Sequence, residues 1–234
     1  MTLRPLALAA LTLVALTACA SRSRGTGPQG PDPGAPVLGV APFPAEGRDA
    51  AGAAQLDGQL RRGLGELGWN LADDLVTASL YQGIEDVVVY DPLTGEITEA
   101  SFRARISVHG ALATRFAAEG VVYAQIVPSV ARFADGVATW DGVRQSIEGP
   151  DGVRDPLVRS TGYAGEVNAT SLRVWIEDLE GNVVHDALAG LELTSILRGG
   201  RWLGLRRRDQ LLDTGRVKRA VKLVLEQLPE APES

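Results

Sequence analysis

Cysteine and histidine are nearly absent from this chain: among 234 residues there are one cysteine, Cys19, and two histidines, His109 and His185. That scarcity excludes an internal disulfide framework and any zinc site that draws on several cysteine or histidine ligands. A cationic excess is missing too. The net charge is −6 and the pI near 5.0, which argues against a protein that wraps phosphate backbones, because non-specific nucleic-acid affinity comes from clustered cations. The apolar run at 5–16 holds 12 uncharged residues, short of the roughly 20 that a membrane-spanning helix needs. The catalytic signatures G-x-S-x-G and H-E-x-x-H are absent. Aromatic residues reach only 5%, but 45% hydrophobic and 22% charged residues suffice to bury one or two ordinary cores and exclude a wholly disordered or fibrous chain.

What is present begins with an address. Residues 1–4 are short and basic, and 5–16 (PLALAALTLVAL) has the length of a secretory h-region, about 7 to 15 residues. Leu16-Thr17-Ala18-Cys19 follows and resembles the lipobox of bacterial lipoproteins, a branched apolar residue and two small ones before a cysteine. The resemblance implies that 1–18 is a signal peptide cut before Cys19, that Cys19 carries acyl chains on its sulfur and its new amino group, and that membrane lipid is its first partner. More than one acyl chain is what stable anchoring needs, since each buried methylene contributes about 0.8 kcal/mol. Ala20 in the next position implies export to the outer membrane, with the rest of the chain facing the periplasm.

Residues 20–36 contain four glycines, four prolines and no large apolar side chain. They cannot offset the entropy of ordering, so 19–36 reads as a lipidated cysteine and a disordered tether. An α/β domain is expected at 37–228, with an acidic, proline-broken tail at 229–234. Within the domain, 37–43 (VLGVAPF) reads as a buried first strand, and Leu56, Leu60, Leu64 and Leu67 as a helical stripe with Gly68 past its end. A second strand is expected at 69–71, a short helix at 76–82, an extended run at 84–90, and a turn at 91–95. A third helix is expected at 103–118, with Ile106, Ala113, Phe116 and Ala117 inward and Gly120 as its stop. Asp135-Gly136 between extended runs at 121–133 and 137–147 is a hairpin signal. Within the second run, Trp140-Asp141-Gly142 suggests a bulge or a close backbone approach. A second hairpin turns at Glu180-Gly181-Asn182: Leu172, Val174 and Ile176 alternate with Arg173, Trp175 and Glu177 before it, and the return strand runs from Val183 towards Ile196. Asp213 or Thr214 caps a last helix striped by Val217, Val221, Val224, Leu225 and Leu228.

This order predicts an α/β sandwich, an early βαβ unit plus two hairpins in a mainly antiparallel sheet, with helices covering one face of a single domain. On its lipidated tether it resembles the small α/β domain of envelope lipoproteins: the amino-terminal domain of TolB, the curli-secretion lipoprotein and the activator lipoproteins of penicillin-binding proteins. Carrying the resemblance are 37–43, the helix of Leu56 to Leu67, 171–182 (SLRVWIEDLEGN) and the closing helix. It implies a binding or assembly role without catalysis. The chain lacks a pair of long amphipathic membrane strands, a departure from the curli-secretion pattern that speaks against a pore.

Gly63, Gly65 and Gly68 match G-x-G-x-x-G, but they close a helix instead of opening one after a strand, so the glycines are not placed to meet a pyrophosphate. His109 lies in a helical pattern and His185 in a strand beside Asp186; each reads first as a surface or a satisfied core residue, and an envelope hydrolase using one of them is the enzymatic alternative. No catalytic residue, metal site or cofactor is expected, apart from the acyl chains on Cys19. Asp178, Glu180 and Asn182 admit weak calcium ligation and read first as a solvated turn.

Charge is distributed unevenly. Residues 198–222 hold nine basic and two acidic residues, leaving the rest of the chain at −13. Arg198, Arg201, Arg206, Arg207 and Arg208 flank Trp202, Leu203 and Leu205 in a glycine-rich loop, the composition with which proteins meet anionic surfaces. The candidate site is therefore this arginine loop, and its expected partner an envelope protein or cell-wall polymer; a homo-oligomeric secretion or structural subunit is the alternative. Replacing Cys19 with Ala is expected to abolish fatty-acid labelling and release the protein from membranes. Labelling that survives in the variant overturns the anchor.

Overall fold

The computed structural model describes residues 35–43, 49–82, 84, 98–148, 158, 162–206 and 211–231. The expected signal peptide, lipobox and most of the tether lie outside them, as do the extended run beyond Ile84, the turn at 91–95, Arg207, Arg208 and the last three residues.

Alternation along two long strands organises the described residues. In β3 (Ala118–Ala134), Val121 and Tyr123 point to one side and Val122 and Ile126 to the other, and all four are buried. Its antiparallel partner β6 (Ala164–Asp178) repeats the pattern, with Leu172, Val174 and Ile176 on one side and Trp175 and Glu177 on the other. β1 (Val37–Val40) lies parallel to β3 and to the short β2 (Asn70–Leu71). β4 (Val137–Trp140) and β5 (Val143–Ser146) extend β3 at its far end, and β7 (Val183–Leu193) pairs with β6. Together they make one seven-stranded sheet, parallel around β1 and antiparallel elsewhere, as the mixed α/β reading anticipates.

The helices occupy both faces, which corrects the expectation of one. Helices α1 (Ala50–Glu66) and α4 (Thr214–Leu225) bury Leu56, Leu60, Leu64, Val217, Val221 and Val224 against Leu38, Val122, Leu172 and Val174. Helices α2 (Asp74–Tyr81) and α3 (Glu99–Phe116) cover Val121, Tyr123 and Trp175 on the other side. The reason is in the central strands: β1, between two parallel neighbours, and β3, between β1 and the antiparallel β6, are both apolar on two faces, and both faces need cover. Side-chain oxygens of Asp49, Asp73, Thr98 and Asp213 accept backbone N–H groups at the starts of the four helices. None of the described helices is long and apolar enough to cross a membrane.

Several local expectations shift. The inward stripe of α3 is Ser101, Arg105, Val108, His109 and Leu112, not the one led by Ile106 and Phe116. Its stop is Ala117 at φ 53°, and Gly120 belongs to β3, where a Cβ would meet the Glu177 carbonyl oxygen at 2.6 Å. Asp135-Gly136 turns the expected hairpin, at φ 52° and 80°. Asp141-Gly142 turns a second one, at φ 36° and 78°, so the expected bulge is a sharp reversal that divides 137–147 into β4 and β5. Gly63 of the rejected glycine motif lies where a Cβ would run into Leu225 of α4, so it serves helix packing.

At the far end the β4–β5 hairpin folds over to meet β7 without closing a barrel. The Gly190 N–H donates to the Asp141 carbonyl at 2.8 Å, and Asp141 Oδ2 accepts from the hydroxyls of Ser129 at 2.9 Å and Ser171 at 2.5 Å. A third core forms there from Phe133, Trp140, Ile147, Val167 and Leu193. A Cβ on Gly190 would collide with Val143 and Trp140. Gly190→Ala is therefore expected to destabilise the fold by about 1–3 kcal/mol through overpacking; urea unfolding measures it, and an unchanged midpoint would show that the hairpin does not rest on β7.

Candidate functional site

The basic segment singled out by charge is a β-hairpin where an open loop is expected. β8 (Ser195–Arg198) and β9 (Arg201–Gly204) pair around Gly199-Gly200, both at positive φ of 58° and 73°, the backbone that a two-residue hairpin turn requires. The Leu197 N–H donates to the Ile147 carbonyl just past β5, and the Leu205 N–H to the Thr194 carbonyl extends the hairpin's own ladder, both at 2.7 Å. The return strand expected to reach Ile196 thus ends at Leu193, and a new pair begins.

The register sorts the side chains. Residues opposite one another in an antiparallel pair share a face, so Leu197 and Trp202 point inward together: Leu197 is buried, and the Trp202 ring lies 5.5 Å from that of Phe133. Ile196, Arg198, Arg201 and Leu203 form the outer face, with the Arg198–Arg201 pair at the tip and the Ile196–Leu203 pair behind it. Trp202 retains 38% exposure and Leu203 44%. Arg206 follows, exposed; Arg207 and Arg208 lie outside the described residues. The hairpin is thus amphipathic across its outer surface, with cations leading and apolar side chains following.

A second constellation escapes sequence reasoning. Beneath α3, Arg105, His109, Tyr81, Tyr123, Trp175 and Glu177 form one buried polar network. Arg105 Nη2 lies 2.9 Å from Glu177 Oε1, which also accepts from the Trp175 indole N–H at 2.8 Å. The Tyr123 hydroxyl is 2.8 Å from His109 Nε2 and 2.9 Å from the Tyr81 hydroxyl. The Arg105 guanidinium stands 5.3 Å over the Tyr123 ring, which stacks on Trp175 at 5.3 Å. The sequence signal was there: if Leu172, Val174 and Ile176 face α4, then Trp175 and Glu177 must face the other way, and Arg105 and His109 stand one helical turn apart.

Burial governs the ionisation of this network. It pushes the Glu177 carboxyl up, against the opposing pull of the Trp175 N–H and Arg105. It raises the Tyr81 hydroxyl to about 12 and the Tyr123 hydroxyl further. Burial and then the Arg105 charge lower His109, outweighing the carbonyls of Leu179 and Asp178. His109 and Glu177 are 0% and 1% exposed, so no substrate reaches them, and the network acts as a strut joining α2, α3, β3 and β6. His185 lies exposed on β7, and its neighbour Asp186 is engaged by Arg173 at 2.6 Å. In the turn after β6, Asp178 accepts from the backbone N–H groups of Glu180 and Asn182 and from the Asn182 amide. These bonds hold its carboxyl below the usual range, the Asn182 amide most of all.

His109 is neutral in the fold, with a pKa below its unfolded value of about 6.5. It therefore contributes stability that is present above about pH 6.5 and lost as pH falls towards the folded value. Urea midpoints at pH 7.5 and 5.5 are expected to fall further for the wild type than for His109→Gln, whose comparison cancels the opposite drift from Glu177. Equal drops in the two proteins would show that His109 is not held neutral.

No protein-family model matches the chain, and no curated protein matches it. Among solved structures, the lipoprotein GNA1162 from Neisseria meningitidis is similar over 67% of this chain and 82% of that one, at 14% identity and a TM-score of 0.35.

Proposed function

We propose that the chain is a membrane-anchored envelope lipoprotein whose α/β domain acts without catalysis, binding an anionic envelope component through the β8–β9 hairpin. Cys19 in its lipobox supports the anchor, and Ala20 supports the outer membrane with the domain facing the periplasm. The observation that carries the binding role is the outer face of the hairpin, where Arg198 and Arg201 lead and Ile196 and Leu203 follow. Such a face suits a surface that is anionic outside and apolar beneath, because long cationic side chains keep their charge in water while apolar neighbours make contact. A hydrolytic role would need an accessible base beside a nucleophile; His109 is sealed in the interior and His185 stands on an edge strand.

The oligomeric alternative draws on one feature: among the described residues β7 pairs with β6 alone, and its first half exposes Val183 and Val184 at 51% and 50%. Edge strands of this kind invite pairing with another chain. A mass that rises with concentration would favour it.

The hairpin is tested with protein lacking residues 1–19, so that the anchor does not mask the domain. A cation near an anionic membrane surface contributes about 1 kcal/mol. Changing Arg198, Arg201 and Arg206 together to Gln is then expected to weaken binding to phosphatidylglycerol vesicles roughly a hundredfold, with a shallower dependence on salt. Unchanged retention on both vesicles and isolated cell wall would sink the hairpin as the binding site.

A further inference from the structure

A second group of cations meets on a different part of the domain. Arg144 of β5 and Arg216 and Arg219 of α4 line one small cleft between β5, β7 and α4, floored by Gly190 and flanked by Gln145. The cleft is a product of the folded hairpin. Asp141 and Gly190 draw the β4–β5 hairpin onto β7, and Val143, buried beside Arg144, fixes the direction in which Arg144 leaves the strand. Across the gap, α4 buries Val217, Ala220 and Val221, so Arg216 and Arg219, one turn apart, lie along its rim.

The charges at this cleft are poorly balanced by the protein. Arg216 reaches Asp213 Oδ2 at 2.9 Å. Arg144 and Arg219 form no ion pair with any of the described residues. Yet acids outnumber bases in this chain by 29 to 23, so carboxylates to neutralise a purely structural cluster are plentiful. Three arginines thus line one cleft in which a single carboxylate, that of Asp213, pairs with one of them, and an added anion would offset the remaining charge. Guanidinium forks fit the oxygens of a phosphate in pairs. Gln145 Oε1 accepts from the Leu193 N–H at 3.3 Å, leaving its amide nitrogen to donate.

We propose that this cleft is an anion site in which Arg144, Arg216, Arg219 and Gln145 hold a phosphate group, carried by a lipid headgroup or by a soluble phosphate compound. Its small size suits a single tetrahedral group. The inference is independent of the hairpin, which lies on other strands and is tested by other variants.

The experiment is calorimetric titration of the full chain in nonionic detergent at low salt, with two probes: inorganic phosphate, and glycerophosphoglycerol, the deacylated headgroup of phosphatidylglycerol. The wild type is expected to bind phosphate, and Arg144→Gln/Arg219→Gln to bind it at least tenfold more weakly. Arg198→Gln/Arg201→Gln, in the hairpin, should leave phosphate affinity unchanged. Arg144→Lys/Arg219→Lys keeps the charge and the fold while losing the forks, so it should bind with intermediate affinity and keeps the test decisive where the Gln pair fails to fold. Matched binding of both probes identifies a lipid headgroup as the source; phosphate binding alone identifies a soluble phosphate compound. A wild type that binds neither probe, or a Gln pair that binds phosphate as well as the wild type, overturns the site.

Discussion

Fifteen consecutive residue pairs, from Gly120 opposite Asp178 to Ala134 opposite Ala164, join β3 to β6 without a shift in register, and the remaining elements are arranged around that ladder. At about 3.3 Å per residue such a ribbon runs on the order of 50 Å, well beyond what one pair of helices covers. The near half therefore carries helices on both faces. The far half supplies its own cover by turning strands back on themselves at Asp135-Gly136 and Asp141-Gly142. Long two-stranded ribbons twist strongly, and that twist brings the tip of the β4–β5 hairpin round to β7, where Gly190 has no side chain to obstruct it.

The same ladder decides which charges are hidden and which are displayed. Glu177 sits near one end of β6 under α3, where Arg105 and the Trp175 indole both meet its Oε1 and offset part of the cost of burying a carboxylate. The resulting network is enclosed, and its contribution lies in holding α2 and α3 in place. The arginines at the opposite side of the molecule's chemistry are surface groups. Those of the β8–β9 hairpin stand beside exposed apolar residues, and those of the cleft stand beside each other. Among the described residues of a net negative protein, arginines thus gather on the outer face of a hairpin and along the lining of a small cleft.

Much of the fold is legible from local pattern. The Leu56–Leu60–Leu64 stripe, the Asp213 cap, the Asp135-Gly136 turn and the alternation of Leu172, Val174 and Ile176 all sit where the pattern puts them, because each depends on neighbours within a few residues. The inward face of α3 is not legible, since Arg105 and His109 occupy positions that a hydrophobic period assigns to water. They are tolerated there only because Glu177 and Tyr123, on two remote strands, stand within hydrogen-bonding distance of them. For the same reason Trp175 and Glu177 read as a solvent face, and the second helical layer goes unseen. Asp141-Gly142 carries a turn signal, but a Trp before it and a Val after it disguise the turn as one continuous strand.

Of the candidate sites, the arginine run at 198–208 stands out in the sequence as composition, while its outer and inner faces are set by strand pairing: Trp202 turns towards Phe133, and Leu203 and Ile196 turn out with Arg198 and Arg201. The cleft has no trace in the sequence, for Arg144 is more than seventy positions from Arg216 and meets it only through the bend at Asp141. By itself the sequence determined the mixed α/β class, most of the strands and helices, the Asp213 cap and the Asp135-Gly136 turn, because these are written in adjacent side chains. Tertiary structure alone decided which polar residues are buried and which arginines converge, because the environment of a charge is made by residues distant in the chain.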